Sequence, residues 1–212
     1  MTSLLEAFAI ACRDAGTRAT AADVEGAGMD LLRRWSAPSR GYHDRDHLVE
    51  VLERLDEIGD AAATAPTTRL AAWFHDAVYE GRPGQDEADS AELARRELVA
   101  VGAPDDVADR VAALVLVTAG HDAGDDAHAQ ALCDADLAVL AAGRERYAAY
   151  VAGVRSEYAH VPDDDFRAGR AAVLADLLGR EDLFRTAHGR RHWDAAARAN
   201  LTRELAELGG PL

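Results

Sequence analysis

Residues 47–58 read HLVEVLERLDEI, and Leu48, Leu52, Leu55 and Ile58 recur in them at intervals of three and four. This spacing puts the apolar side chains on one face of an amphipathic α-helix. A second stripe of the same kind lies within residues 107–118. Alanine is the commonest residue of the 212, Leu, Glu and Arg are abundant, and the alternating pattern of strands is almost absent. The sequence therefore predicts an all-α fold.

Proline, glycine and acidic residues mark the helix boundaries. Gly102-Ala-Pro104, for example, ends one helix and lets the next begin at Asp105. No Ser-, Pro- or Gly-rich linker and no fixed repeat divides the chain, so we expect one multi-helix domain over residues 1–212. The predicted helices span residues 3–14, 20–35, 44–58, 67–78, 86–101, 105–118, 127–141, 144–159 and 166–178, with a last one from about 191 to 208.

The charge balance argues against polyanionic partners. The chain has 23 basic residues, all of them arginine, against 38 acidic ones, and its formal net charge is −15. Such a chain repels nucleic acid polymers and anionic membrane surfaces. Its two cysteines are far apart, its apolar runs are too short to span a bilayer, and its first residues lack the basic start of a signal peptide. We expect a cytoplasmic protein, of open oligomeric state.

Histidine and aspartate interrupt otherwise apolar stretches of this sequence. Both LAAWFHDAVYE (residues 70–80) and CDADLAVL (residues 133–140) place carboxylates among apolar side chains, which is costly unless a cation pairs with them. Imidazole with carboxylate, and without thiolate, suits divalent Mn, Fe, Co, Ni or Zn. A zincin-type protease is disfavoured, because Asp44 stands where that motif needs Glu. The candidate residues are His43, His47, His75, Asp76, Asp134 and Asp136.

Their order resembles the HD superfamily of metal-dependent phosphohydrolases, which is named for an adjacent His-Asp pair. HLVEVLERL, LAAWFHDAVY and DADLAVL resemble the contexts of that family's first His, its His-Asp pair and its last Asp. RGYHDRDHL, TAGHD, VRSEYAHVPDDDFRAGR and ARANLTREL are similar to one bacterial branch of it, so the resemblance runs from about residue 40 to the C-terminus. It implies an HD-type bundle with a metal-site core at about 40–142 and helices of 143–208 packed on it.

The resemblance also implies a ligand set for one or two divalent transition-metal ions. The first ion would be bound by His47, His75, Asp76 and Asp136. Asp136 is preferred to Asp134 because the family's Asp precedes a bulky apolar residue, here Leu137; Asp134 is expected to be an acceptor behind the site or a solvated residue. His121 and His43 are candidates for a second ion or a proton carrier, and for His43 a helix-start hydrogen bond is the alternative. The histidines expected outside the site are His128, His160, His188 and His192.

A phosphate substrate of so acidic a chain needs local positive charge beyond the metal. The arginine fork grips phosphate through two parallel hydrogen bonds. Surface ion pairs are the alternative role for such arginines, and ordinary packing is the alternative for aromatic side chains. The candidates are Arg40, Arg45, Arg155 and Arg170 for phosphate, and Tyr42 and Tyr158 for a base or sugar.

These observations predict a metal-dependent phosphohydrolase that acts on a small phosphate ester, a nucleotide in the first instance. Two alternatives stay open. One is a di-iron oxygenase of the HD fold, which the additional histidines allow. The other is a nucleotide-binding or regulatory HD module without catalysis, because an intact ligand set does not prove turnover.

Overall fold

A computed structural model describes residues 3–209, and the all-α prediction is confirmed, since no strand occurs in that range. No described helix combines the length and the apolar character needed to cross a bilayer. The α-helices are α1 Leu4–Asp14, α2 Ala21–Trp35, α3 Arg45–Ile58, α4 Pro66–Phe74, α5 Gln85–Ala100, α6 Asp105–Val117, α7 Ala127–Leu137, α8 Arg144–Glu157, α9 Asp163–Gly179, α10 Ala187–His192 and α11 Asp194–Glu207. A short 3-10 helix, Ala138–Ala141, follows α7 directly.

Side-chain caps set several helix starts. Thr20 forms a reciprocal capping box with Asp23 at the start of α2. Asp44, Asp126 and Thr186 accept backbone N–H groups at the starts of α3, α7 and α10. These caps satisfy donors that the first turn of a helix leaves without an intrahelical partner.

The largest differences from the predicted boundaries lie in α4, α7, α9 and the segment before α11. α4 ends at Phe74 instead of residue 78, and α7 gives way to the 3-10 helix after Leu137. α9 starts at Asp163, because Pro162 immediately precedes three aspartates that suit the first turn of a helix. The short α10 was not predicted, since its six residues are too few to show a period.

The buried side chains form two clusters. One is contributed by α1 to α7 and includes the fully buried Trp35, Trp73 and Phe74. The other joins Tyr42 to the 3-10 helix and to α8 to α11. Ile58, at the end of α3, packs against both clusters. Helices α3, α4 and α7 also pack against one another, so the segments that carry the predicted ligands are neighbours in space.

Candidate metal centre

The first turn of α3 fixes His47. The Asp44 carboxylate accepts the backbone N–H of Asp46 at 2.9 Å and that of His47 at 3.2 Å. The His47 side chain is 1% exposed, and the rings of Trp35 and Tyr42 lie against its imidazole. Capping and packing therefore hold this imidazole in place inside the protein.

The end of α4 fixes His75. Its backbone N–H still bonds to the Ala71 carbonyl at 2.9 Å, and its Nδ1 donates to the Ala72 carbonyl at 2.8 Å. The Trp35 ring lies 5.4 Å from the His75 ring, and its indole N–H donates to the Trp73 carbonyl at 2.9 Å. Because Nδ1 is engaged with a carbonyl, Nε2 is the atom that faces the other candidate ligands.

The four residues predicted for the first ion come together. The Nε2 atoms of His47 and His75 are 3.3 Å apart, and Asp136 Oδ1 lies 3.1 Å from the first and 3.6 Å from the second. Asp76 Oδ2 lies 3.3 Å from His75 Nε2 and 3.8 Å from His47 Nε2. The polar atoms of His47, His75 and Asp136 thus lie around one point, and Asp76 lies beside the two imidazoles.

These separations suit a bound metal ion. Ligands about 2.1 Å from a metal lie about 3.0 Å apart at adjacent octahedral positions and about 3.4 Å apart in a tetrahedron. The ligand atoms of His47, His75 and Asp136 all lie within 4.8 Å of one another, so this buried cluster could hold a metal ion. Asp76 lies outside this group, although its Oδ2 is within 3.8 Å of both imidazole Nε2 atoms.

The electrostatics of the cluster also favour a cation. Burial by itself would lower the pKa of His75, but the charges of Asp76 and Asp136 outweigh it and raise that pKa to about 9. Burial would raise the pKa of Asp136, yet the charge of His75 and hydrogen bonds from His121 and His47 hold it well below its usual range. In the absence of metal, a proton on His75 supplies the positive charge that the carboxylates attract.

A cavity of about 860 Å³ adjoins the cluster. Asp76 and Asp136 line it, whereas His47 and His75 lie buried behind them. Its other walls come from the turn after Tyr79, from residues 118–121, and from α8 and α9. The volume lies within the range of small-molecule sites, so a ligand of nucleotide size can reach the candidate metal ligands.

His43 lines this cavity and is oriented by Glu157, the last residue of α8. His43 Nδ1 lies 2.8 Å from Glu157 Oε2, and the ring stacks on Tyr79 at 4.2 Å between centroids. Burial would lower the pKa of His43, but the hydrogen bond to Glu157 and the charge of Asp76 raise it overall. The side chain of His43 is therefore bonded to the end of α8, whereas Asp44 is the residue that caps α3, and the His43 ring lies 5.6 Å from that of His47.

Glu157 is a functional candidate that the sequence did not reveal. Its Oε1 accepts the backbone N–H groups of Gly41, Tyr42 and His43 at 2.9, 2.8 and 2.9 Å, and its Oε2 accepts the Tyr79 hydroxyl at 3.0 Å. Burial opposes ionisation, but the His43 hydrogen bond and charge and these backbone donors lower the Glu157 pKa to about 2. One carboxylate thus anchors the segment that leads into α3.

His121 contacts the opposite side of Asp136. Its Nε2 lies 2.8 Å from Asp136 Oδ2, whereas Oδ1 of the same carboxylate faces His47 and His75. Within residues 3–209, His121 alone among the non-glycine residues has a positive φ, at 53°. Such a conformation is uncommon outside glycine, and it is found where surrounding contacts enforce it.

Two of the predicted phosphate arginines lie outside the cavity lining near α3. Arg40 donates to the backbone carbonyls of His43, Asp76 and Ala77. Its guanidinium therefore ties the start of α3 to the His-Asp segment. Arg45 is exposed in the first turn of α3.

The two distal arginines are also engaged within the protein. Arg155 lies outside the cavity lining, where it donates to the Tyr158 and Val161 carbonyls and pairs with Asp163 at 2.5 Å. Arg170 does line the cavity, but its guanidinium donates to Glu204 at 2.7 and 3.1 Å. Two other cavity arginines, Arg82 and Arg180, were not predicted.

Both predicted tyrosines line the cavity. Tyr42 is 5% exposed, and its buried hydroxyl has no hydrogen-bond partner among residues 3–209. Tyr158 is half-buried, and its ring stacks on that of His160. The lining also contains the rings of Tyr79, Tyr150 and Phe166, which were not predicted.

Asp134 serves a different purpose from Asp136. Its carboxylate accepts the backbone N–H of Arg185 at 2.9 Å and that of Thr186 at 2.7 Å. Asp134 is 1% exposed, so these bonds satisfy a buried carboxylate and hold the start of α10 against α7. The polar residues two apart in CDADLAVL therefore face different neighbours.

No family model, curated protein or solved structure matches this chain. The resemblance to the HD superfamily therefore stays a hypothesis that rests on the residues quoted above.

Proposed function

We propose that this protein is a metal-dependent phosphohydrolase of the HD type, which hydrolyses a small phosphate ester, in the first instance a nucleotide. The observation that carries the proposal is the convergence of His47, His75, Asp76 and Asp136 beside a cavity of about 860 Å³. Two carboxylates of this set line the cavity, so a ligand there meets the centre directly.

The donor set favours a divalent transition metal. Two imidazoles with carboxylates and no thiolate suit Mn, Fe, Co, Ni or Zn better than magnesium, which prefers oxygen ligands. Asp136 Oδ2 and His121 are the side chains available to a second ion. The chemistry that such an ion supplies when bound is a lower pKa for a neighbouring water and neutralisation of phosphoryl charge.

The remaining side chains would bind and orient the substrate. The raised pKa of His43 favours its charged form, which would attract phosphate and could give a proton to a leaving oxygen. The unpaired Tyr42 hydroxyl can donate to a phosphate oxygen, which would satisfy a buried polar group. Tyr79 and Tyr158 offer ring faces to a nucleobase.

Phosphate release tests the proposal. Purified protein would be loaded separately with Mn, Co, Fe, Ni or Zn and given a panel of nucleotides and simple phosphate esters. We expect release with at least one metal, its loss in chelator, and a fall of at least about 100-fold in His75→Ala and Asp76→Asn.

His192→Ala is the matched control, because His192 is exposed on α10 and lies outside the cavity lining. It should retain full activity, and circular dichroism should show that every variant is folded. Full activity in folded His75→Ala would contradict the proposal. Tight nucleotide binding without any product would instead support a binding module.

A further inference from the structure

The cavity has a polar end and an apolar wall. The polar end is lined by the carboxylates of Asp76 and Asp136 and by the imidazoles of His43 and His121. Another part of the lining comes from α9, which contributes the apolar side chains of Phe166, Val173 and Leu177. Val173 is 51% exposed, so apolar surface is left open there. A ligand that covers this wall needs an apolar body.

The arginines of the cavity are already paired. Each of the three that line it in the described part of the chain lies within ion-pair distance of a carboxylate. A second or third phosphate would therefore compete with an existing partner. Arg82 lies 3.1 Å from both Glu80 and Asp89, Arg170 lies 2.7 Å from Glu204, and Arg180 lies 2.9 Å from Asp176.

Acidic side chains in the lining also disfavour a ligand with more than one phosphate group. Besides the two carboxylates of the candidate centre, Asp86, Glu87, Asp165 and Asp176 line the cavity. Additional phosphate charge away from the centre would face these groups at close range. Among the described residues of the lining, His43 is also paired with a carboxylate, that of Glu157, so only a metal bound at the centre would offer an anion positive charge without a competing partner.

From these observations we infer that the ligand is a phosphate monoester with an aromatic or branched apolar body, and that polyphosphates and the phosphates of small polyols are poor ligands. The phosphate lies at the Asp76–Asp136 end, and the organic part covers the α9 wall. This inference rests on the proposed function and specifies its substrate class.

Two comparisons test the inference on metal-loaded protein. Body polarity is tested with 2-phenylethyl phosphate against glycerol 3-phosphate, both of which have a primary alcohol as leaving group, and phosphate number with adenosine mono- against triphosphate. We expect kcat/KM to favour 2-phenylethyl phosphate and the monophosphate by at least about tenfold each. A triphosphate or glycerol phosphate hydrolysed equally well would overturn the inference while leaving the proposed function intact.

A matched pair of variants locates the apolar contact. Val173→Ser removes apolar surface from the cavity wall, and Val99→Ser does the same at a valine that is 40% exposed on α5, outside the lining. The first should lower kcat/KM for 2-phenylethyl phosphate roughly three- to tenfold and change glycerol 3-phosphate less than about twofold. The second should change neither. Equal effects of the two variants would refute the assignment of the α9 wall.

Binding separates this inference from catalysis. Calorimetry with 2-naphthylphosphonate and 3-hydroxypropylphosphonate, neither of which can be hydrolysed as an ester, measures the same preference without turnover. A Kd ratio of at least about ten, in the absence of hydrolysis of any ester, would support the ligand class and defeat the proposed function. A ratio near one would overturn the ligand class whether or not an ester is hydrolysed.

Discussion

Replacing Glu157 with glutamine should destabilise the protein in a pH-dependent way. The side chain of Glu157 is 3% exposed, and it collects three backbone N–H groups together with His43 and the Tyr79 hydroxyl. Glutamine keeps one oxygen for the backbone donors, but an uncharged amide N–H₂ group replaces the charged oxygen that contacts the His43 imidazole. The substitution therefore approximates permanent protonation of this carboxyl.

The size of the effect follows from the Glu157 pKa. Folding lowers that pKa to about 2 from an ordinary value of 4.5. Lowering the Glu157 pKa from 4.5 to about 2 adds about 3 kcal/mol to the free energy of unfolding at neutral pH. Because the folded-state pKa is lowered, this stability is fully present above pH 4.5 and is lost as the pH falls through 2. The difference between wild type and Glu157→Gln should thus be about 3 kcal/mol at pH 7 and about 1 kcal/mol at pH 3.

Urea unfolding followed by circular dichroism at both pH values measures this difference. Asp126→Asn is the control, because Asp126 also has a pKa near 2 and also accepts backbone N–H groups, but its side chain is 37% exposed. Solvent screening should limit its cost to less than about 1 kcal/mol. A loss below 1 kcal/mol in Glu157→Gln at pH 7, or a loss independent of pH, would refute the reasoning.

Three further predictions concern the centre and its supports. Zinc affinity should rise about tenfold per pH unit between pH 6 and 8, because zinc binding displaces a proton from His75, whose pKa is raised to about 9. Calorimetry in buffers of different ionisation enthalpy measures the protons released, and a value of zero would contradict this prediction. Gly153→Ala should cost about 2 kcal/mol in urea unfolding, since its Cβ would lie 2.6 Å from a backbone carbonyl oxygen, whereas Gly26→Ala, with open space around it, should be neutral or stabilising. Asp134→Ala should cost about 2–3 kcal/mol by leaving buried backbone N–H groups unpaired, yet bind metal with unchanged stoichiometry; loss of the metal would make Asp134 a ligand.

Local patterns in the sequence predicted the helices well, and failed where a helix ends for a tertiary reason. The stripe Leu48, Leu52 and Leu55 is buried as its period requires. The helix that contains LAAWF was predicted to continue through residue 78, because Ala77 and Val78 are apolar. It ends at Phe74, where Trp35 donates to the Trp73 carbonyl from another helix and Arg40 donates to the carbonyls after His75.

The positions of the candidate ligands could be predicted because a carboxylate is conspicuous in an otherwise apolar stretch of sequence. Asp136 stands out among Leu, Ala and Val, and its cost of burial demands a partner. Charged residues in polar surroundings carry no such signal. The sequence predicts Arg40 as a phosphate ligand because it precedes His43 and His47, whereas in the structure its guanidinium donates to three backbone carbonyls, two of them about 36 positions away.

Glu157 is a residue that the sequence analysis missed, because its contacts are distant in sequence. In VRSEYAH it is one more polar residue near the end of a helix, and its partners lie 114 to 116 positions earlier. The contact also depends on Gly41 and Gly153, whose backbones approach so closely that a Cβ on either would meet the other segment within 2.6 Å. The periodicity of apolar residues along the chain cannot predict a close contact between two glycines that are far apart in sequence.

The candidate centre and the anchored segment before α3 are physically connected. His43 is held by Glu157 on one side and lies beside His47 on the other, and Arg40 bridges the same segment to the carbonyls of Asp76 and Ala77. A cation bound beside the carboxylates would replace the proton that their attraction now holds on His75, and it would leave these supports unchanged. The hydrogen bonds of Glu157 and Arg40 therefore fix the positions of the candidate ligands before a metal binds. Metal binding then requires neither the ordering of a loop nor the movement of a helix, and its affinity is not reduced by such a step.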